Sequence, residues 1–223
     1  MATQLKRGEK ILFIGDSITD CGRRGAESPL GNGYVKLFEH LLFMREPAKQ
    51  VCVVNKGISG DTVPGLQSRW TDDVVRQAPD WLAVKIGIND LHRALRNDPS
   101  LPATDPKSFR AIYDEILTRT RARLPRCRIL LIDPFYISNE TSTASFRAKV
   151  LERLPDYLAV VHAMSAKHGT RCVRTHELFQ KLLKHREPDY FCPEPVHPNL
   201  CGHLIIAEAV YQALEQGSGK DKP

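Results

Sequence analysis

Apolar residues along the chain follow two alternating rhythms. Short apolar, strand-like runs fall at Ile11–Ile14, Val51–Asn55, Trp81–Ile86, Ile129–Ile132 and Arg171–Val173. Such runs, lacking polar alternation, suit strands of a sheet that is covered on both faces. Between them the apolar positions recur at helical spacing. One face is Tyr34, Val35, Leu37, Phe38, Leu41 and Leu42, and a second is Phe109, Ile112, Tyr113, Ile116 and Leu117. A third is Val150, Leu151, Leu154, Leu158 and Val161, and the last is Leu200, Leu204, Ile205, Ala207, Val210 and Leu214. Strands joined by helices predict βαβ units. The expected fold class is α/β, a three-layer α/β/α sandwich with a central parallel five-stranded sheet.

Two stretches break the rhythm. Asn97–Pro106, rich in Pro and Asp, predicts a loop long enough to cover a site and too short to link domains. Gln216–Pro223 predicts a flexible tail, leaving residues 1–215 as a single domain, and a chain of 223 residues suits one core better than two. No internal repeat or low-complexity block occurs.

Composition narrows the partners. With 42% hydrophobic and 26% charged residues the chain is ordinary for a globular protein. No apolar run approaches the roughly 18 residues that span a bilayer, and Met1–Gly8 lacks the apolar core of a secretory signal. A cytoplasmic protein with no membrane partner is expected. The six cysteines (Cys21, Cys52, Cys127, Cys172, Cys192, Cys201) have neither C-x-x-C nor other metal-ligand spacing, so reduced thiols and no metal are expected. The net charge of +6 is dispersed, as in Arg119-Thr120-Arg121-Ala122-Arg123, without interleaved aromatics. That pattern predicts a solvated helix face and no nucleic-acid partner.

Chemistry-bearing residues gather where the first three apolar runs stop. Gly15-Asp16-Ser17 follows the first, Asn55-Lys56-Gly57-Ile58-Ser59-Gly60-Asp61-Thr62 the second, and Gly87-Ile88-Asn89-Asp90 the third. Each alone is ordinary turn and cap chemistry. In a parallel sheet, however, all three turns emerge at the same edge, where open α/β sheets bind ligands. A serine there is a candidate nucleophile once a base and oxyanion donors converge on it. A fourth segment, Glu194-Pro195-Val196-His197-Pro198-Asn199, supplies an acid three residues before a histidine, so one turn can set both side chains on the same side. The carboxylate can then fix the imidazole tautomer, and Asn199 is placed to cap the following helix. Neither the G-x-S-x-G elbow nor a G-x-G-x-x-G dinucleotide loop is present.

These four segments, in this order between residues 15 and 203, resemble the blocks of the SGNH (GDSL-type) hydrolase family. The resemblance implies an SGNH/flavodoxin-like sandwich and a cofactor-free serine esterase. In it Ser17 attacks an ester carbonyl, and His197 serves as general base and then general acid. The backbone N–H of Ser17, the backbone N–H of Gly60 and the side-chain amide of Asn89 form the oxyanion hole, each donor worth about 3–4 kcal/mol in the transition state. The family usually has aspartate three residues before the histidine. Glu194 stands there instead, and the resemblance gives it the orienting role, with Asp189 a poor substitute eight residues from His197. Gly57 is expected to be a turn residue rather than a donor.

Within the family the chain is most similar to intracellular bacterial acetylxylan esterases. The shared phrases are Leu12-Phe13-Ile14-Gly15-Asp16-Ser17-Ile18-Thr19-Asp20-Cys21-Gly22, Val53-Val54-Asn55-Lys56-Gly57-Ile58-Ser59-Gly60, Pro79-Asp80-Trp81, Ile86-Gly87-Ile88-Asn89-Asp90 and Pro134-Phe135-Tyr136-Ile137. This likeness implies a small acetylated saccharide as substrate. A lysophospholipase or acyl-thioesterase on the same scaffold, or a non-catalytic carbohydrate-binding or subunit-contact protein, are the alternatives, and a homo-oligomer stays open. Trp81, inside a strand run, is expected in the core, whereas Trp70 is the freer of the two to stack on a sugar.

Overall fold

The computed structural model describes residues 2–97 and 102–215; residues 98–101 of the predicted loop and the predicted tail 216–223 lie outside the described residues. Five strands, β1 (Lys10–Gly15), β2 (Cys52–Asn55), β3 (Trp81–Lys85), β4 (Arg128–Ile132) and β5 (Arg171–Val173), pair in parallel in the order β2-β1-β3-β4-β5. The central three are the apolar ones. Ile11, Leu12, Phe13 and Ile14 on β1, and Leu82, Ala83 and Val84 on β3, are fully buried. Burying one such large side chain contributes about 1.5–3 kcal/mol.

Among the described residues eight α-helices flank the sheet: α1 (Ser17–Asp20), α2 (Tyr34–Arg45), α3 (Val63–Trp70), α4 (Ile88–Arg96), α5 (Pro106–Arg123), α6 (Phe146–His168), α7 (Thr175–Leu182) and α8 (Leu200–Ala213). The result is the expected three-layer α/β/α sandwich. Helices α2 and α8 pack together, with Tyr34 and Phe38 of α2 set edge-on to Phe13 of β1. On another flank α3, α5 and α6 pack in succession.

All four predicted amphipathic faces became helices, and the shorter α1, α3, α4 and α7 join them. Pro106, assigned by the sequence to a loop, opens α5 instead. Asp105 caps that helix by accepting the Ser108 N–H at 2.7 Å, and proline suits the first turn because it has no N–H to leave unpaired. Trp70 is a second correction. It is fully buried and donates its indole N–H to Thr120 Oγ1 at 2.9 Å, so it packs α3 on α5 and reaches no sugar. Trp81 is in the core as expected. Cys52 and Cys172 lie in β2 and β5, and all six cysteines are free thiols.

Strand order places the site. The chain adds β2 on one side of β1 and then returns to add β3 on the other, so the crossovers leaving β1 and β3 diverge and open a crevice between them. Asn55, at the end of β2, fastens the loops around that crevice. Its amide nitrogen donates to Thr19 O at 2.6 Å and Leu30 O at 2.7 Å, and its oxygen accepts the Gly57 N–H at 2.8 Å. Replacing it strands two buried polar groups and a part-buried one. Asn55→Ala is expected to destabilise the protein by about 3 kcal/mol, read as a lowered urea midpoint at unchanged m-value.

Candidate active site

Ser17 sits half-buried at the first position of α1, directly after β1. The single turn of α1 is held by Asp16, whose side chain accepts the Ile18 N–H at 3.0 Å and whose backbone oxygen takes the N–H groups of Thr19 and Asp20. Gly15 cannot be larger, because a Cβ there would lie 2.1 Å from Lys85 O. The turn thus rides directly on the central strand pair.

The structure brings the predicted base to this serine. Ser17 Oγ lies 2.8 Å from His197 Nε2, and His197 Nδ1 is hydrogen-bonded to Glu194 Oε1. With the Nδ1 proton donated to a carboxylate, Nε2 is the lone-pair nitrogen that accepts from the serine hydroxyl. Glutamate reaches as far as this geometry needs because its loop curls toward it. Its carboxylate accepts the N–H of His197 at 2.7 Å and of Val196 at 3.2 Å. The loop is braced by Ile137 N–H on Pro195 O at 2.9 Å, and Asn199 caps α8 through Gly202 N–H at 3.1 Å. Asp189 takes no part in this contact. The arrangement is open, with the His197 and Glu194 side chains 58% and 45% exposed.

The three segments carrying Ser17, Gly60 and Asn89 are laced together by direct hydrogen bonds. Ile58 N–H donates to Gly15 O at 2.9 Å, and Asn89 Nδ2 donates one hydrogen to Asp61 O at 3.0 Å, leaving its other hydrogen unassigned. Residues 58–61 close a turn through Asp61 N–H on Ile58 O, and Gly60 occupies its third position at φ +78°. That conformation belongs to a type II turn and favours glycine. It leaves the Gly60 N–H, like the Ser17 N–H, without an acceptor among the described residues. Gly57, expected as a turn residue, is a close-packing position: a Cβ on it would meet Asp20 N at 2.3 Å, and its N–H is taken by Asn55 Oδ1.

Several residues that brace the site were not singled out by the sequence. Asp20 accepts the backbone N–H and hydroxyl of Ser59 and pairs with Arg24. Arg93 donates to Gly60 O at 2.8 Å from α4. Arg69 of α3 reaches Gly15 O, Lys56 O, Asp61 and Asp73 at once, so one guanidinium spans the loops after β1 and β2. Asp90, beside Asn89, accepts Val63 N–H at the start of α3, and burial pushes its carboxyl up to about 7. Asp20 and Asp90 fall inside the motif segments, whereas Arg24, Arg69 and Arg93 lie outside them and carry no signal in the sequence. Two other histidines come near. Burial, then the charge of Arg96, pushes His92 down to about 4, and burial with Lys85 does the same to His203. Both are therefore neutral at neutral pH. No cluster of metal-ligating side chains occurs among the described residues, and none of the described helices is long and apolar enough to cross a membrane.

Burial opposes ionisation of Asp20, yet hydrogen bonds from Ser59 N–H, Arg24 and the Ser59 hydroxyl outweigh it and hold the carboxyl below the usual range. A depressed folded value means stability that is present above the unfolded value, near 4, and lost as pH falls through the folded one. Asp20→Asn is accordingly expected to be less stable than the parent at pH 7, with the gap closing below about pH 4 in denaturant titrations.

A sequence profile of the GDSL-like lipase/acylhydrolase family matches residues 13–205. The acetylxylan esterase of Geobacillus stearothermophilus is 37% identical over 217 residues, covering 93% of this chain and 94% of that one. The uncharacterized protein YpmR of Bacillus subtilis (strain 168) is 26% identical over 230 residues, 96% of this chain and 84% of that one. Among solved structures, Axe2, an acetylxylan esterase from G. stearothermophilus, superposes with a TM-score of 0.85 at 33% identity, covering 98% of this chain and 100% of that one. Catalytic mutants of that enzyme have been solved in which a serine, a histidine or an aspartate is changed to alanine. LAE5, an alpha/beta hydrolase enzyme from the metagenome of Lake Arreo, superposes at 0.83 with 32% identity, over 94% of this chain and 96% of that one.

Proposed function

Because the chain belongs to the GDSL-like lipase/acylhydrolase family, and is a carboxylic ester hydrolase on that ground, we propose that it removes acetyl groups from small carbohydrate esters of the xylo-oligosaccharide type through an acyl-enzyme intermediate. The observation that carries this reading is the continuous hydrogen-bonded line from Ser17 Oγ through His197 to Glu194.

In the proposed cycle His197 Nε2 takes the Ser17 proton as Oγ bonds to the acetyl carbonyl carbon. The carbonyl oxygen becomes an oxyanion held by the N–H groups of Ser17 and Gly60 and by the Asn89 amide. Their hydrogens are set in place before the charge appears, so little reorganisation is needed as it forms. His197 then gives its proton to the departing sugar oxygen, leaving acetyl on Ser17. Water, deprotonated by the same imidazole, releases acetate and restores the serine. Glu194 stays ionised throughout, holding the imidazole and stabilising its cationic form.

Acetyl as the acyl group and a saccharide as the alcohol fit the surroundings. A largely exposed histidine gives access to a bulky, hydrated alcohol and offers little cover for a long acyl chain. Beside Glu194 lies a groove of about 460 Å³ whose walls include Ser138, Asn139, Thr141, Arg147 and Glu187, side chains able to hydrogen-bond hydroxyl groups. The names of the acetylxylan esterase relatives agree with that choice.

Hydrolysis of p-nitrophenyl acetate is expected, and Ser17→Ala should abolish it; an active Ser17→Ala protein would remove the serine mechanism. His197→Ala is expected to lower kcat by about 10⁴-fold or more, and Glu194→Ala by roughly a hundred-fold less, since orientation is a smaller contribution than proton transfer. Measured as kcat/KM, acetyl esters should exceed decanoyl esters and acyl-CoA, and acetylated xylobiose should exceed acetylated glucosamine. A reversal in the first comparison would make the protein a lysophospholipase or thioesterase, and a reversal in the second would change the sugar.

A further inference from the structure

Beneath Ser17, at the C-terminal edge of the three central strands, lies a charged group that the hydrolytic cycle does not use. Gly15 of β1 is in register with Lys85 of β3, and Lys85 with Ile132 of β4. Asp16 and Asp133 are the residues that follow on the two outer strands. Asp16, Lys85 and Asp133 are all fully buried.

Asp133 is fully engaged. It accepts the Thr175 hydroxyl at 2.7 Å, the His176 N–H at 3.2 Å and His162 Nε2 at 3.1 Å. The other two are not. One Asp16 oxygen caps Ile18, whereas Oδ2 has no hydrogen-bond partner among the described residues, and neither has Lys85 Nζ. These two unpartnered atoms face each other at 3.8 Å, and the ammonium also lies 4.7 Å from the centre of the Phe135 ring. A lysine withdrawn from water on a central strand is costly, and methionine would fill the same space without that cost. The cost is offset where the charge is needed by a neighbour, and the neighbour here is the residue that precedes the nucleophile.

We propose that Lys85 is a positioning residue of the hydrolytic reaction. Its ammonium is the buried counter-charge that keeps the Asp16 carboxylate ionised, and the ionised carboxylate holds the one-turn helix α1 so that Ser17 meets His197. This rests on Ser17 being the nucleophile. A four-residue helix has too few internal bonds to hold its own shape, so its cap sets the geometry. A charged acceptor makes a stronger cap hydrogen bond than a neutral one. Burial drives Asp16 up and Lys85 down, and each is opposed by the other's charge. The remaining groups facing the pair are Cys21 at the end of α1, Tyr34 of α2, Asp61 from the loop after β2, Asp90 of α4, His197, and His203 of α8. Among all these Lys85 is the fixed positive charge.

The test compares Lys85→Met, Asp16→Asn and the double variant with the parent, using p-nitrophenyl acetate across pH 5–9, with Ser17→Ala as the control that separates failure of the serine mechanism from failure of this proposal. Lys85→Met is expected to lower kcat roughly ten- to hundred-fold at little change in KM, because a misplaced nucleophile weakens the transition state more than binding. The pH dependence distinguishes an electrostatic role from a packing one. Without its counter-charge Asp16 binds a proton at higher pH, so the acid limb of kcat should move up by about one unit or more. The double variant removes both charges and keeps an amide oxygen to cap Ile18. It should recover most of the lost kcat and lack the displaced limb. Parent-like kcat and acid limb in Lys85→Met would overturn the proposal, as would a double variant no better than Lys85→Met. If Lys85→Met does not fold, a folded and active double variant supports the proposal, and a double variant that also fails to fold overturns it.

Discussion

The hydrogen bond between Ser17 and His197 joins side chains 180 positions apart, and most of the architecture can be understood as what makes that contact available. Neither residue could find the other through local structure. Ser17 is fixed by a central strand with neighbours on both sides, and His197 by a loop that rests on the segment following β4 and runs into α8. Helix α8 packs on α2, which itself lies on the Phe13 side of β1. The two halves of the contact are therefore referenced to the same strand, one directly and one through two layers of packing. A second link runs in parallel. His203 Nδ1 accepts the Tyr34 N–H at 3.2 Å while its Nε2 lies 3.4 Å from Cys21 Sγ, tying α8 to both α2 and the end of α1.

Around this contact the loops are held mainly by side chains bonding to backbone. Asn55, Arg69, Arg93 and Asp20 each grip the main chain of a neighbouring loop. Loops carry no hydrogen-bond ladder of their own, so such groups replace what a sheet or helix would supply. Gly60 illustrates the division of labour. Its positive φ turns an N–H outward, and Arg93 holds the carbonyl on its other side.

Much of this was legible in the amino-acid order. The five apolar runs mark the five strands to within a residue or two, because a strand buried on both faces has no polar alternation to blur its ends. Ser17, His197, Glu194 and Asn89 stand out as candidates because their motif segments sit at strand ends and before a helix. What escaped notice did so for physical reasons. Helix α4 hides in Ile88–Arg96 because its few apolar residues share the segment with Asn89 and Asp90. Trp70 lies outside the strand runs, so the sequence does not place it in the core, and its partner Thr120 lies fifty residues away. Lys85 is masked by the apolar residues on either side of it, since periodicity registers a side chain's place on a strand and not what faces it.

The Glu194–Val196–His197 loop has one further consequence. The carboxylate that orients the imidazole draws its own hydrogen bonds from the peptide groups of that same loop, two and three residues along. In the proposed mechanism the orienting acid and the base are therefore aligned by contacts within one short segment. The internal alignment of that pair then depends on a single loop, and only its meeting with Ser17 depends on the fold at large.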